Sequence, residues 1–514
     1  MLVRKLIFLL AGLIFLEPIT LHAQPNPESF VKYRHFDTYS FRVSLSNDGR
    51  LDAGAYGISF RKTDSYFRVW DHGFVLLGYQ DGQLVGTAPL WSPNYTPGPM
   101  IDGQAAIQIA PEDSSRYRTY LLTADSQPGD PDYDEWPQEW GAPVTESGAP
   151  KVFGDVTAWT VYNDAFPGLH SEIEETTGQL TNTYIEIRET VWGYDRPGLL
   201  GQTVFFKWQL YNKGAQLDSV VVGIWNDIDF HNDYPYFDTE HGIGYMFSPS
   251  EQPGQPAVAA SYALLQGPLV PASDQRGFAF DRHWQGLKNL PTTACWAILD
   301  DSYPATYMGG APDSLQQLYY FLTGRRHDGT PIVNPVTGDT TSYMFTGDPV
   351  TQTGWSQKGS GGCSQIPASG PFTLAPGDSQ EVVFALIYST GESNEITRNQ
   401  LLANYYQIRD FYLHGIEIPT PEEPTPDYFR VHCFPNPFTR SANIQYSVPV
   451  ASDISLKLYN LRGQLITTLR QTQHEPGEYS VTLSSDDLSG SGIYFCRLNT
   501  PYGTVTKKLT FIHP

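Results

Sequence analysis

Apolar and polar residues take turns along this chain, and that period of two limits its fold more than any other feature. The alternation is clearest at 443–448 and 454–459, and at 203–211, where Phe206, Trp208 and Leu210 share one face. Successive side chains of a strand point to opposite faces, so such runs read as half-buried strands. Further strands fit 464–469, 478–483, 493–498 and 505–512. The segment 219–225 returns antiparallel to 203–211 after the turn Asn212-Lys213-Gly214. Asn47-Asp48-Gly49, Asp71-His72-Gly73 and Asp81-Gly82 are turn signals between runs such as Phe74-Val75-Leu76-Leu77. Aromatics make up 14% of the chain against 17% charged residues, a balance that favours packed sheet over disorder. The expected fold class is mainly β: a sandwich region over 24–415, as one sandwich or two, and a small Ig-like β-sandwich over 431–514.

One helix interrupts this pattern. After the apolar strand at 381–388, Asn394 can cap a helix over 395–414 in which Leu401, Leu402, Tyr405, Ile408 and Tyr412 share one face, and Gly415 ends it. Residues 416–430 follow as a linker, since four prolines and two glutamates between Ile418 and Pro426 cannot pack a core. At the N-terminus, Arg4 and Lys5 precede an apolar run from Leu6 to Leu16, and Leu21-His22-Ala23 stands before Gln24. That is the order of a secretory signal peptide over residues 1–23, and no later stretch is apolar enough to span a membrane.

The formal charge is −23, and removal of 1–23 takes away Arg4, Lys5 and Glu17, leaving −24. Nucleic-acid binding needs Lys and Arg to displace counterions from phosphates, so that class is set aside. An acidic surface suits divalent cations and an exported, soluble protein. The four cysteines, Cys295, Cys363, Cys433 and Cys496, are disulfide candidates in an oxidising compartment. Three pairings exist, and 295–363 with 433–496 keeps each bridge within one domain. Without a C-x-x-C, zinc and thioredoxin-like roles have little support.

Chemistry is sparse. Asp227, Asp229, Asp233 and Asp238 follow the strand at 219–225, and closely spaced carboxylates can supply the oxygens that Ca²⁺ takes. They lack the glycine and terminal glutamate of an EF-hand loop, and a solvated turn rich in Asp is the competing reading. Asp130, Asp132 and Asp134 read as an ordinary loop, and Glu172, Glu174 and Glu175 as a solvated face. His231 and His241 flank the acidic loop and read as packed or surface residues. There is no H-E-x-x-H, G-x-S-x-G or Walker loop, so no catalytic residue is assigned.

The last stretch carries an ordered set of motifs: Pro435-Asn436-Pro437-Phe438, Gly463, Gly477, Gly492 with Tyr494, and Lys507-Lys508-Leu509. This order resembles the C-terminal sorting domain of type IX secretion cargo, and more broadly the Ig-like module of FlgD-type proteins. The resemblance implies that the module is read by the secretion machinery and removed on attachment to surface lipopolysaccharide. Upstream, Trp136-Pro137 with Gly141-Ala142-Pro143, Asn212-Lys213-Gly214, Trp225-Asn226-Asp227-Ile228-Asp229 and Gly370-Pro371-Phe372 resemble uncharacterised exported proteins that end in such modules. Where those run into Gly-Cys-Asp-Thr, this chain has Tyr236-Phe237-Asp238-Thr239. The reading is thus a secreted or outer-membrane surface protein with a structural or adhesive passenger. Eleven tryptophans also raise a glycan-binding module as an alternative, and a polysaccharide-active enzyme behind it.

Overall fold

A computed structural model describes residues 27–50, 57–60, 67–88, 95–166, 182–230, 232–250, 256–299, 308–357, 363–418, 429–488 and 490–512. The expected signal peptide, most of the linker, His231, and Glu172, Glu174 and Glu175 lie outside these residues.

Two antiparallel sheets face each other upstream of the linker. Leu217–Asp229 is central in an eight-stranded sheet, between Arg68–Gln80 and Ser364–Leu374. Thr203–Asn212 is central in a nine-stranded sheet, between Ile185–Gly193 and Ser379–Gly391. The alternation dictates what meets between them. Phe206, Trp208 and Leu210 point inward from one sheet, and Phe74, Leu76, Val222 and Ile224 from the other. Phe74 stacks on Trp208 with ring centroids 4.8 Å apart. Each such fully buried side chain contributes roughly 1.5–3 kcal/mol relative to exposure. The turn Asn47-Asp48-Gly49 also enters this core. Gly49 has φ +79°, and a Cβ there would lie 2.5 Å from the Tyr162 ring, so both its conformation and its space require glycine.

The outer faces are apolar too, which is why both are roofed. Helix Asn394–His414 covers the nine-stranded sheet through Leu401, Leu402, Tyr405 and Ile408. The Ser393 hydroxyl caps it by accepting from the Ile396 N–H, and Gly415 closes it at φ +65°. Leu315–Leu322, a helix that the sequence reading missed, covers the other sheet, with Trp296 stacked on Phe321 at 3.9 Å. The strand expected at 219–225 lies in the sheet facing 203–211 instead of pairing with it, and it runs on to Asp229, so Asp227 and Asp229 belong to a strand end and not to a loop.

From Arg430 onward seven strands form a second sandwich. Arg430–Phe434, Ser441–Val448 and Gly477–Ser484 make one sheet; Leu465–His474, Ser452–Asn460, Gly492–Thr500 and Gly503–Phe511 make the other. Its core includes Ile444, Tyr446, Leu456, Leu458, Leu498 and Leu509. Ile396 of the long helix joins that core, and Glu392 pairs with Lys507 at 3.3 Å, so the two sandwiches touch at the helix start.

Candidate functional site: a sorting module and an aromatic cleft

Among the predicted motif residues of the second sandwich, Pro435 through Phe438 lie against its last strand. Asn436 sits between two prolines that have no N–H to offer a ladder, and its side chain takes over the pairing. Its Oδ1 accepts the Thr510 N–H at 2.8 Å, and its Nδ2 donates to the Lys508 carbonyl at 2.9 Å. Two residues on, the Phe438 N–H donates to the Thr510 carbonyl, and the Phe438 carbonyl accepts from Ile512. The Phe438 ring is buried against Phe511 at 5.1 Å. Pro435 through Phe438 are thus laced to the strand Gly503–Phe511. Gly463, at φ +77°, makes the turn after Asn460, and Gly492 opens the strand that buries Tyr494. The Tyr494 hydroxyl donates to the Gly490 carbonyl at 2.7 Å, and Lys508 stands exposed opposite Phe495.

The four aspartates divide. Asp227, Asp229 and Asp233 gather around Cys363, whose thiol donates to Asp233 at 3.6 Å and is pushed up by burial and by all three carboxylates. Burial, and then Asp229, push the Asp233 carboxyl up to about 7. Asp229 accepts from the Trp70 indole N–H. Asp238 lies at the far end of the strand Tyr234–Asp238, where its carboxylate accepts from the backbone N–H groups of Glu240 and His241 and pairs with the His241 ring at 2.8 Å. Asp238 thus stands apart from the other three expected calcium ligands. Among the described residues no group of three or more His, Cys, Asp or Glu is arranged to hold a metal. Asp132 of the other acidic cluster is a structural tie, bonded to Arg34, Arg118 and the Leu121 N–H.

The cysteines divide as well. Cys295 lies opposite Pro367, four residues from Cys363, or about 13 Å along an extended chain. A disulfide spans less than about 7 Å between Cα atoms, so the expected 295–363 pairing is not formed in this geometry. Cys433 and Cys496 are brought together.

Among the described tryptophans Trp70 is exposed and Trp140 and Trp284 are half-buried. Trp136, Trp159, Trp192, Trp208, Trp225, Trp296 and Trp355 are all buried. A second aromatic group lines a cleft, with Tyr234 half-buried and Tyr236 and Phe247 buried. The cleft, of about 490 Å³, is floored by Tyr234, Tyr236 and Phe247 and walled by Ser250, Gln352, Gln357 and Asn394. The pairing of Tyr234–Asp238 with Ile243–Ser248 sets Tyr234 opposite Phe247, and Tyr236 stacks on Tyr245 at 5.9 Å. Asn394 is positioned by accepting the Ser250 N–H at 2.9 Å. On the opposite wall, Arg398 holds Asp348 beside Pro349 at 3.2 Å. Burial pushes the Tyr236 phenol up to about 12, so it stays a neutral donor. Among the described residues no carboxylate lines this cleft.

The comparisons with known proteins bear on both regions. Residues 432–512 match the family model described as the secretion system C-terminal sorting domain. No curated protein matches the chain. Among solved structures, a polysaccharide lyase aligns at 9% identity over 86% of this chain and 39% of its own, with a TM-score of 0.23. Dimeric latent PorU from Porphyromonas gingivalis aligns at 12% identity over 86% and 41%, with a TM-score of 0.16. A trimeric ectodomain of the C. elegans fusion protein EFF-1 aligns at 7% identity over 70% and 88%, with a TM-score of 0.13. The chain spans about two fifths of the first two of these. The second sandwich is therefore a type IX C-terminal sorting domain, which engages the secretion machinery and indicates delivery of this protein to the cell surface or the extracellular space.

Proposed function

We propose that the exported passenger is adhesive and that it holds an uncharged glycan chain in the cleft between Tyr234 and Gln357. The observation that carries this is the lining itself: an aromatic floor with amide and hydroxyl walls. Aromatic faces pack against the C–H faces of sugar rings, while Asn, Gln and Ser offer both donors and acceptors to hydroxyl groups. Hydrolysis of a glycosidic bond needs two flanking carboxyl groups, and among the described residues none lines this cleft. The strongly negative chain also repels polyanionic polysaccharides, which favours neutral ones.

The test is retention of the full chain on a panel of neutral and anionic polysaccharides, with release of reducing ends followed in parallel. Retention on a neutral polysaccharide, weakened at least tenfold by Tyr234→Ala with unchanged circular dichroism, supports the reading. Equal retention of that variant, or no retention at all, overturns it. Release of reducing ends replaces it with an enzyme. Repeating the series with a calcium chelator asks whether Asp227, Asp229 and Asp233 contribute through a metal.

A further inference from the structure

Two thiols meet where the sheets of the sorting module face each other. Cys433 is on Arg430–Phe434 of the three-stranded sheet, and Cys496 is on Gly492–Thr500 of the four-stranded sheet. Each strand is fixed by its own ladder, with Cys433 opposite Ile444 and Cys496 opposite both Leu458 and Lys507. Cys496 is fully buried in the module core, and Cys433 packs half-buried at its edge. The two side chains belong to one packed cluster, and each thiol shifts the other. Packing between cysteines on opposite sheets, with one side open to solvent, is the arrangement in which oxidation needs little movement of the backbone.

We propose that Cys433 and Cys496 are an oxidation site of the module, joined by a disulfide that ties its two sheets once the chain has left the reducing cytoplasm. The oxidant is an incoming disulfide, either that of an oxidoreductase or of a small thiol. Cys433 is the accessible partner. Its thiolate attacks that disulfide, forms a mixed disulfide and expels one thiolate. Cys496 then gives up its proton, attacks the Cys433 sulfur and expels the second thiolate. Two protein thiols lose two electrons and two protons, and the incoming disulfide becomes two thiols. The influence of Cys496, aided by the Lys507 ammonium, lowers the Cys433 thiol against the opposing effect of burial, which suits it to the first attack. Cys496 is held up by Cys433 and by burial, as suits the second. Cys295 and Cys363, far from each other, stay reduced.

The experiment counts thiols in the full chain, collected after export and denatured in iodoacetamide before any reduction. The expected result is two alkylated cysteines, Cys295 and Cys363, and one cross-linked peptide pair containing Cys433 and Cys496. In Cys433→Ser, Cys496 becomes alkylated and the melting of the module falls by roughly 10 °C. As a second measurement, reduced full chain is incubated with oxidised glutathione. Loss of two thiols, both mapped to 433 and 496, supports the bridge. Four alkylated thiols in either sample, or a bridge to Cys295 or Cys363, overturns it.

Discussion

Glu189 is the residue most at odds with its surroundings. It points from Ile185–Gly193 into the core between the large sheets, where Ile187 and Val191 on either side of it are apolar. Burial pushes its carboxyl up to about 8, against the opposing influence of Tyr162 and Trp208. The folded chain therefore keeps this proton to a higher pH than the unfolded chain does. In the window between about 4.5 and about 8 the native state binds more protons, and stability falls as pH rises through it. Asp233, raised to about 7, adds a slope of the same sign at the lower end of that window. Glu189→Gln is expected to flatten the part that belongs to Glu189 and to make the protein more stable at pH 8.5 by roughly 2–5 kcal/mol. Urea midpoints of both proteins at pH 5 and pH 8.5 check this, and parallel pH profiles would remove Glu189 as the cause.

Among elements, the hairpin Leu269–Ala279 with Arg282–Asn289 depends on charges buried beneath its tip. The turn residue Asp281 pairs with Lys207 at 3.3 Å and with Lys151 at 2.7 Å. Under them Glu381, fully buried, accepts from Gln209, Gln266 and the Phe280 N–H and lies 3.8 Å from Lys207. Removing the cation strands a buried carboxylate, which costs far more than the pair itself contributes. Lys207→Ala is therefore expected to lose about 3–5 kcal/mol in chemical denaturation, and a loss below about 1 kcal/mol would mean that water reaches Glu381. This network has no sequence signature, because Lys207, Asp281 and Glu381 come from two strands and a turn that are far apart in the sequence. What was legible was local. The alternation at 203–211 and 443–448 placed Phe206, Trp208, Ile444 and Tyr446 inside correctly, whereas the cap of the long helix is Ser393, one residue before the expected Asn394. The helix Leu315–Leu322 was missed although Ser314 caps it, because it is apolar on most of its circumference and too short to show a clear period. The aspartates misled for a related reason. Asp is a turn former, yet Ile228 buried between Asp227 and Asp229 is what extends the strand. The cleft at Tyr234 was hidden because its walls come from segments more than a hundred residues apart.

For the whole molecule, sorting and passenger are two packed bodies with separate cores, in contact through Ile396 and the Glu392–Lys507 pair. Deleting 431–514 leaves the large sandwich with its own core and both roofing helices. The expected outcome is a folded passenger that accumulates in the periplasm, read by cell fractionation and immunoblotting against the full chain. Surface display of the deletion at normal levels would show that the address lies elsewhere. Among the described residues no helix is long and apolar enough to cross a membrane. The lacing of Asn436 to Lys508 and Thr510 has a consequence in time. These partners are 72 and 74 residues apart, and synthesis runs from the first toward the second. A ribosome that stalls before residue 503 leaves the opening segment of the module with nothing to zip onto. The module therefore cannot close until its last strand has been made, and a chain interrupted before it lacks the partners of Asn436.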